Sequence, residues 1–162
     1  MRPKAILFDL DDTLISPHHH RTFFWHEAIQ DIWKQKEVRR VPEPKDIDDL
    51  VNKIDRSAAD FWSVPDRHKS GRLDIRTARF TILDNAIGSD KRYDLNTRWL
   101  IADRCGALMF DKTTLFPDAI STLKKLKLEG IKLALVTNGA SEAQRAKINK
   151  FDLEQYLLHV QI

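Results

Sequence analysis

The segment AILFDLDDTL (residues 5–14) decides the fold, because in it a short apolar run passes directly into a turn that carries three carboxylates. A second run, IKLALV (131–136), passes in the same way into the polar turn Thr137-Asn138-Gly139. Continuous short apolar runs are typical of buried strands in a parallel sheet covered on both faces, although periodicity alone does not distinguish them from buried helix segments. The two runs predict an α/β fold whose strands end in polar turns.

The residues around the second run complete this α/β layer. Residues 116–130 fit a helix that begins near Pro117 and stops at Gly130, since proline is favoured in the first turn of a helix and glycine after the last. Residues 141–144 read Ser-Glu-Ala-Gln, which is a capping-box pattern and predicts the start of another helix.

Between these ends, residues 17–111 have helical periodicity and no obvious strand. The clearest stripe places seven apolar residues on one helix face: Ile47, Leu50, Val51, Ile54, Ala58, Phe61 and Trp62. Similar stripes predict helices near residues 24–32, 75–86 and 95–108. Four amphipathic helices are typical of a bundle. The predicted organisation is an α/β domain at residues 1–16 and 112–162, interrupted by a helical bundle at residues 17–111.

Composition excludes several classes of protein. The chain has 162 residues, of which 42% are hydrophobic and 31% charged, with a formal net charge of +3. These values are typical of a globular protein and exclude wholesale disorder or collagen, and no run is long and apolar enough for a membrane span. The basic excess forms no run, so nucleic-acid binding is not expected. With one cysteine and no secretory leader in the sequence, we expect a cytoplasmic protein.

The two strand-end turns carry the candidate chemistry. Asp9, Asp11 and Asp12 repel one another unless a cation or a catalytic function justifies them, and Mg²⁺ takes such carboxylates together with phosphate oxygens and water. Residues 137–139 offer a hydroxyl, an amide and backbone donors for an anion, at the sheet edge where α/β proteins bind ligands. Each turn taken alone has a competing structural interpretation, because Asp-rich turns often cap helices and Thr-Asn-Gly is an ordinary turn.

Together, these motifs resemble those of the haloacid dehalogenase (HAD) superfamily. Residues 8–14, FDLDDTL, resemble its first motif, with Asp12 where glycine or asparagine is often seen, and residues 133–139, LALVTNG, resemble its second. The helical insertion is similar to the cap that this superfamily places after the first motif. The resemblance implies a Rossmann-like (Rossmannoid) parallel sheet with a helical cap.

The resemblance also implies roles for individual residues. Asp9 would be the nucleophile and Asp11 the general acid and base, while Thr137, with Asn138 and Gly139, would bind the phosphoryl group. Asp9 and the backbone carbonyl of Asp11 would hold Mg²⁺. The second carboxylate favours a phosphatase acting on a small phosphorylated metabolite through an aspartyl phosphate. A phosphomutase uses the same residues, and a haloacid dehalogenase is disfavoured because such enzymes lack that carboxylate.

The family's third motif, a lysine, and its fourth, an acidic pair, have no counterpart before Ile162. We therefore expect a truncated chain with a sheet incomplete at its C-terminus and with impaired activity. Lys147 and Lys150 are predicted to be surface lysines and not replacements for the third motif. The strand at residues 5–8 would then be an exposed sheet edge, which predicts a homodimer through that edge.

Weaker signals receive structural interpretations. His18, His19 and His20 suggest a solvated linker, and the four tryptophans and Cys105 suggest bundle core. Arg79 suggests a surface ion pair in preference to a contact with a substrate anion. Two rival functions stay open beside the phosphatase. One is a non-catalytic protein of the same fold that binds phosphate or a partner, and the other, less favoured, is a nucleic-acid binder.

Overall fold

The computed structural model describes residues 3–16, 21–35 and 42–162. These residues divide into two compact units with separate hydrophobic cores. The α/β unit consists of residues 3–16 and Lys112–Ile162, and the helical unit consists of residues 21–35 and 42–111. His18, His19 and His20 lie outside the described residues, as does the predicted boundary at residue 17.

The α/β unit is built around a parallel sheet of the strands β1 (Ala5–Phe8), β4 (Lys132–Val136) and β5 (His159–Gln161), in the order β1-β4-β5. A second, two-stranded antiparallel sheet pairs β2 (Ile15–Ser16) with β3 (Thr114–Leu115). The helices of this unit are α6 (Ala119–Leu128), α7 (Ser141–Lys150) and a 3₁₀ turn at Leu153–Tyr156. The predicted mixed α/β fold with a parallel sheet is confirmed.

Register places the two strand-end turns side by side. Phe8, the last residue of β1, pairs with Leu135 of β4, so that both strands end at the same edge of the sheet. Pairing continues on the other side of β4, where the amide of Thr137 donates to the carbonyl of Gln161 over 3.0 Å. Parallel strands therefore present the residues after Phe8 and after Val136 at one place.

Two predictions for this unit need correction. Ala5 and Leu7 of β1 are exposed, Leu7 by 70%, because β1 is the edge strand of this sheet and only one of its faces packs on the core. Ser141 is the first residue of α7 and not its cap. Ala140 occupies the capping position, and no side-chain hydrogen bond closes a capping box there.

The helical unit contains five helices in the described residues. They are α1 (Arg21–Gln35), α2 (Pro44–Ser63), α3 (Pro65–Leu73), α4 (Ile75–Ile87) and α5 (Leu95–Lys112). The four predicted helices are all present. Helix α3 was missed because it has no apolar stripe, and it contacts the core through Gly71, where an added Cβ would lie 2.8 Å from the ring of Phe61.

The predicted core of the helical unit is largely confirmed. Trp25, Trp33 and Cys105 are buried, while Trp62 and Trp99 are only partly buried. Burial raises the pKa of the Cys105 thiol to about 12, so this cysteine is a core residue and not a nucleophile. No helix in the described part of the chain is both long and apolar enough to cross a lipid bilayer.

Candidate active site

The site begins with the turn after β1, which buried leucine and isoleucine side chains hold in place. The amides of Leu14 and Ile15 donate to the carbonyl of Leu10, and all three side chains are buried. The backbone of Asp12 has φ 58°, a left-handed conformation that aspartate tolerates better than most residues. This tight turn exposes Asp9 and leaves Asp11 only partly buried.

Thr137 lies beside Asp11 in the structure, as two contacts of one amide demonstrate. Gln144, on the first turn of α7, donates from its Nε2 to Oγ1 of Thr137 over 2.7 Å and to Oδ2 of Asp11 over 3.0 Å. The Gln144 side chain is buried; its bond to Thr137 is buried as well, whereas its bond to Asp11 is partly buried. The two motif turns, more than 120 residues apart in sequence, are therefore joined by a single amide group.

Lys147 completes the surroundings of Asp11. Its ammonium lies 2.8 Å from Oδ1 and 3.0 Å from Oδ2 of Asp11, and the two side chains are 17% and 28% exposed. The prediction that Lys147 is a surface lysine is therefore wrong. Lys147 lies three residues after Gln144 on α7, so the two side chains are neighbours on the helix surface and both reach Asp11.

Lys150 differs from Lys147. The residue is exposed, as predicted, yet its ammonium donates to the backbone carbonyl of Thr113 over 3.1 Å, so it supports the chain next to β3 and not Asp11.

Asp9 is less restrained than Asp11. Its Oδ1 accepts the amide of Leu10 over 2.8 Å, and its other carboxylate oxygen accepts no hydrogen bond within the described part of the chain. An exposed carboxylate with a free oxygen fits the one or two acidic ligands that Mg²⁺ uses beside water and phosphate. The described residues contain no cluster of three or more acidic, histidine or cysteine side chains that could bind a metal ion. Asp9 is therefore the side chain in this site that is available as a Mg²⁺ ligand.

Asn138 and Gly139 continue the second turn. Asn138 is exposed, and Gly139 has φ 153°, a conformation that favours glycine. A Cβ at position 139 would lie 3.3 Å from the side chain of Gln144, so a larger residue there would press on the amide that joins Thr137 to Asp11.

Sequence reasoning identified Asp9, Asp11 and Thr137 but missed Gln144 and Lys147 as site residues. Gln144 was interpreted only as part of a capping box. One signal was present, since Gln144 and Ile148 are four residues apart and therefore share a helix face. A glutamine on the apolar face of a short helix directly after a polar turn indicates a buried polar contact.

Comparison with known proteins supports the fold and identifies the family. A family model described as haloacid dehalogenase-like hydrolase matches residues 3–162. (S)-2-haloacid dehalogenase 1 of Pseudomonas sp. (strain CBS-3) is 24% identical over 160 residues, which are 95% of this chain and 59% of that protein. This chain therefore spans about three fifths of the length of that relative.

Two solved structures have the same fold. The HAD-hydrolase YfnB from Bacillus subtilis, bound to magnesium, superposes with a TM-score of 0.61 at 16% identity, covering 99% of this chain and 65% of that one. A protein from Thermotoga maritima assigned as a beta-phosphoglucomutase gives 0.58 at 20% identity, covering 98% and 60%. At such identities these structures support the fold alone. The family model, which spans the described strands and both polar turns, decides the assignment, and the chain belongs to the haloacid dehalogenase-like hydrolases.

Proposed function

We propose that this chain carries the nucleophilic half of a Mg²⁺-dependent phosphatase that acts on a small phosphorylated metabolite. The observation that carries the proposal is the placement of Asp11 and Thr137 on one amide, that of Gln144, at the shared edge of β1 and β4. This placement supports the proposal, because phosphoryl transfer through a carboxylate uses an acid–base group and an anion-binding group near the nucleophile, roles we assign to Asp11, Thr137 and Asp9.

In the proposed reaction, a carboxylate oxygen of Asp9 attacks phosphorus while the ester oxygen leaves and takes a proton from Asp11. Water then attacks the phosphorus of the acyl phosphate and gives its proton to Asp11, which releases inorganic phosphate and regenerates Asp9. Thr137, Asn138 and Gly139 donate hydrogen bonds to the phosphoryl oxygens. A bound Mg²⁺, held by Asp9 and the backbone carbonyl of Asp11, would neutralise phosphate charge.

Lys147 has a part in this proposal. The ammonium of Lys147 forms an ion pair with the carboxylate of Asp11. If Asp11 is to donate a proton to the leaving oxygen, this ion pair has to break. A phosphate ester bound beside Thr137 would offer the ammonium another anionic partner. We therefore expect Lys147 to move from Asp11 to the phosphate during the reaction.

The test is hydrolysis of p-nitrophenyl phosphate by the 162-residue chain, with and without Mg²⁺. Asp9→Asn should abolish turnover, and Asp11→Asn should reduce kcat by about 100-fold or more, the usual effect of losing a general acid or base. Asp12→Asn is the matched control, because it removes one charge from the same turn and asparagine tolerates the left-handed backbone. We expect this turnover to be weak, because the family's third and fourth motifs have no counterpart in residues 1–162. Turnover that survives Asp9→Asn, or a folded wild-type chain with no detectable turnover, would contradict the proposal.

A second candidate function is the dehalogenation of 2-haloacids, favoured by the similarity to the Pseudomonas relative. Here Asp9 would attack carbon and expel halide, and water would hydrolyse the resulting ester. The two candidates differ in their dependence on Asp11, since halide leaves without a proton. Release of chloride from (S)-2-chloropropionate that is insensitive to Asp11→Asn would favour this candidate over the phosphatase.

A further inference from the structure

Arg79 lies on α4. It differs from those arginines of the helical unit that form salt bridges with carboxylates. Its side chain is partly buried, and its guanidinium lies directly over Gly106 of α5. A Cβ at position 106 would lie 2.9 Å from Cζ of Arg79, so only glycine leaves the guanidinium its present place. The sequence predicted a surface ion pair for Arg79, and the structure contradicts this.

The guanidinium has no acidic partner. Among the described residues no carboxylate lies within ion-pair distance of Arg79, whereas salt bridges are formed by four other arginines of this unit, Arg76, Arg92, Arg98 and Arg104. The acidic residue beside it, Asp103, accepts two hydrogen bonds from Arg76, over 2.7 and 2.8 Å. Burial lowers the pKa of the Arg79 guanidinium, and the charge of Asp103 opposes that effect without a direct contact.

An unpaired, partly buried cation is costly, because it loses hydration without gaining a counter-ion. Arg76 and Arg79 are three residues apart and therefore neighbours on one face of α4. Asp103 pairs with Arg76, and Asp74 adds a second negative charge near Arg76, so neither carboxylate is paired with Arg79. The guanidinium of Arg79 therefore keeps hydrogen-bond donors that no described carboxylate occupies. Its planar fork matches a carboxylate or a phosphate group.

We propose that Arg79 is the anchor of an oxyanion-binding site in the helical unit, which takes the carboxylate or phosphate group of a small molecule on the guanidinium that Gly106 leaves room for. Arg76 lies beside it, paired with Asp103 and 4.6 Å from the centroid of the Trp99 ring. The site is independent of Asp9 and of the proposed hydrolase activity.

The test is an NMR titration of the ¹⁵N-labelled full chain with inorganic phosphate and, separately, with acetate, at constant ionic strength. Either anion that binds should shift the Arg79 Nε–Hε and Gly106 amide signals saturably. Arg79→Met should abolish the Gly106 response. Gly106→Ala keeps the charge but displaces the guanidinium, and should weaken binding about tenfold or more, the effect of losing a charge-assisted hydrogen bond. Arg72→Met, at an exposed position of α3, is the matched control and should bind as wild type.

Several results would overturn the proposal. These are an unresponsive Gly106 signal with both anions, an equal response in Arg79→Met, or an equal loss in Arg72→Met, which would indicate a general charge effect. Phosphate bound at Thr137 would shift amides of the α/β unit instead. Failure of the Arg79 site and failure of the proposed active site are therefore separate observations.

Discussion

At the residue scale, Gln144 is the group that connects the two strand-end turns. Replacing it with alanine would leave Thr137 Oγ1 and Asp11 Oδ2 without this donor. We expect Gln144→Ala to lower the free energy of unfolding by about 1–3 kcal/mol, the cost of breaking a buried hydrogen-bonded contact. Urea denaturation measures the change. Gln155→Ala, at an exposed glutamine of the same unit, should change stability much less, and equal effects of the two substitutions would contradict the role of Gln144.

Also at the residue scale, Asp90 contributes to the stability of the folded protein in a way that depends on pH. Hydrogen bonds from Arg92 lower the pKa of Asp90 below its ordinary value of 3.8. A lowered folded-state pKa stabilises the protein above the unfolded-state pKa, and the contribution is lost as pH falls through the folded-state value. Asp90→Asn should therefore lower Tm at pH 7, with a difference from wild type that shrinks below about pH 4. Asp49→Asn, at an exposed aspartate of α2, is the control; a loss for Asp90→Asn that persists at pH 2 would contradict this explanation.

At the scale of elements, β1 leads into the candidate active site and is also the unpaired edge strand of its sheet. Its inner edge pairs with β4, no strand pairs with its outer edge among the described residues, and Leu7 is 70% exposed. Unpaired apolar edges favour pairing with another chain. We therefore propose that the 162-residue chain self-associates through β1.

Leu7→Lys should shift the chain toward monomer in sedimentation velocity measured over a range of concentrations, because a charge on an edge strand opposes pairing. Leu128→Lys is the matched control, since Leu128 is 89% exposed but lies on α6. If both variants associate as wild type does, or if the wild-type chain is monomeric at all concentrations, β1 is not the interface.

At the scale of the whole molecule, the two units have distinct cores that share no buried residue. Leu135, fully buried at the centre of the sheet, belongs to the α/β core, while the adjacent Val136 is 44% exposed. Leu135→Ala should cost about 2–5 kcal/mol, and Val136→Ala far less, because only the first leaves a cavity. Hydrogen exchange should increase first in the α/β unit, and an equal increase in α2 and α4 would contradict the separation of the cores.

Local sequence features were sufficient to predict most of the elements. The apolar runs before Asp9 and Thr137 predict β1 and β4, and helical stripes predict α1, α2, α4 and α5, because each pattern requires only neighbouring residues to share a face. Helix α3 and the exposed face of β1 were not predictable in this way. The helix packs through a glycine, and the exposure of a strand depends on which strands lie beside it.

The sequence by itself determined which residues carry the candidate chemistry: Asp9, Asp11 and Thr137 are recognisable from the type of residue that follows each strand. Only the tertiary structure decided what surrounds them. Gln144 and Lys147 reach Asp11 across separations of 133 and 136 residues, and Arg79 is left without a carboxylate because Asp103 pairs with Arg76. Contacts between residues so far apart depend on the register of β1 with β4 and on the packing of helices, which no local pattern encodes.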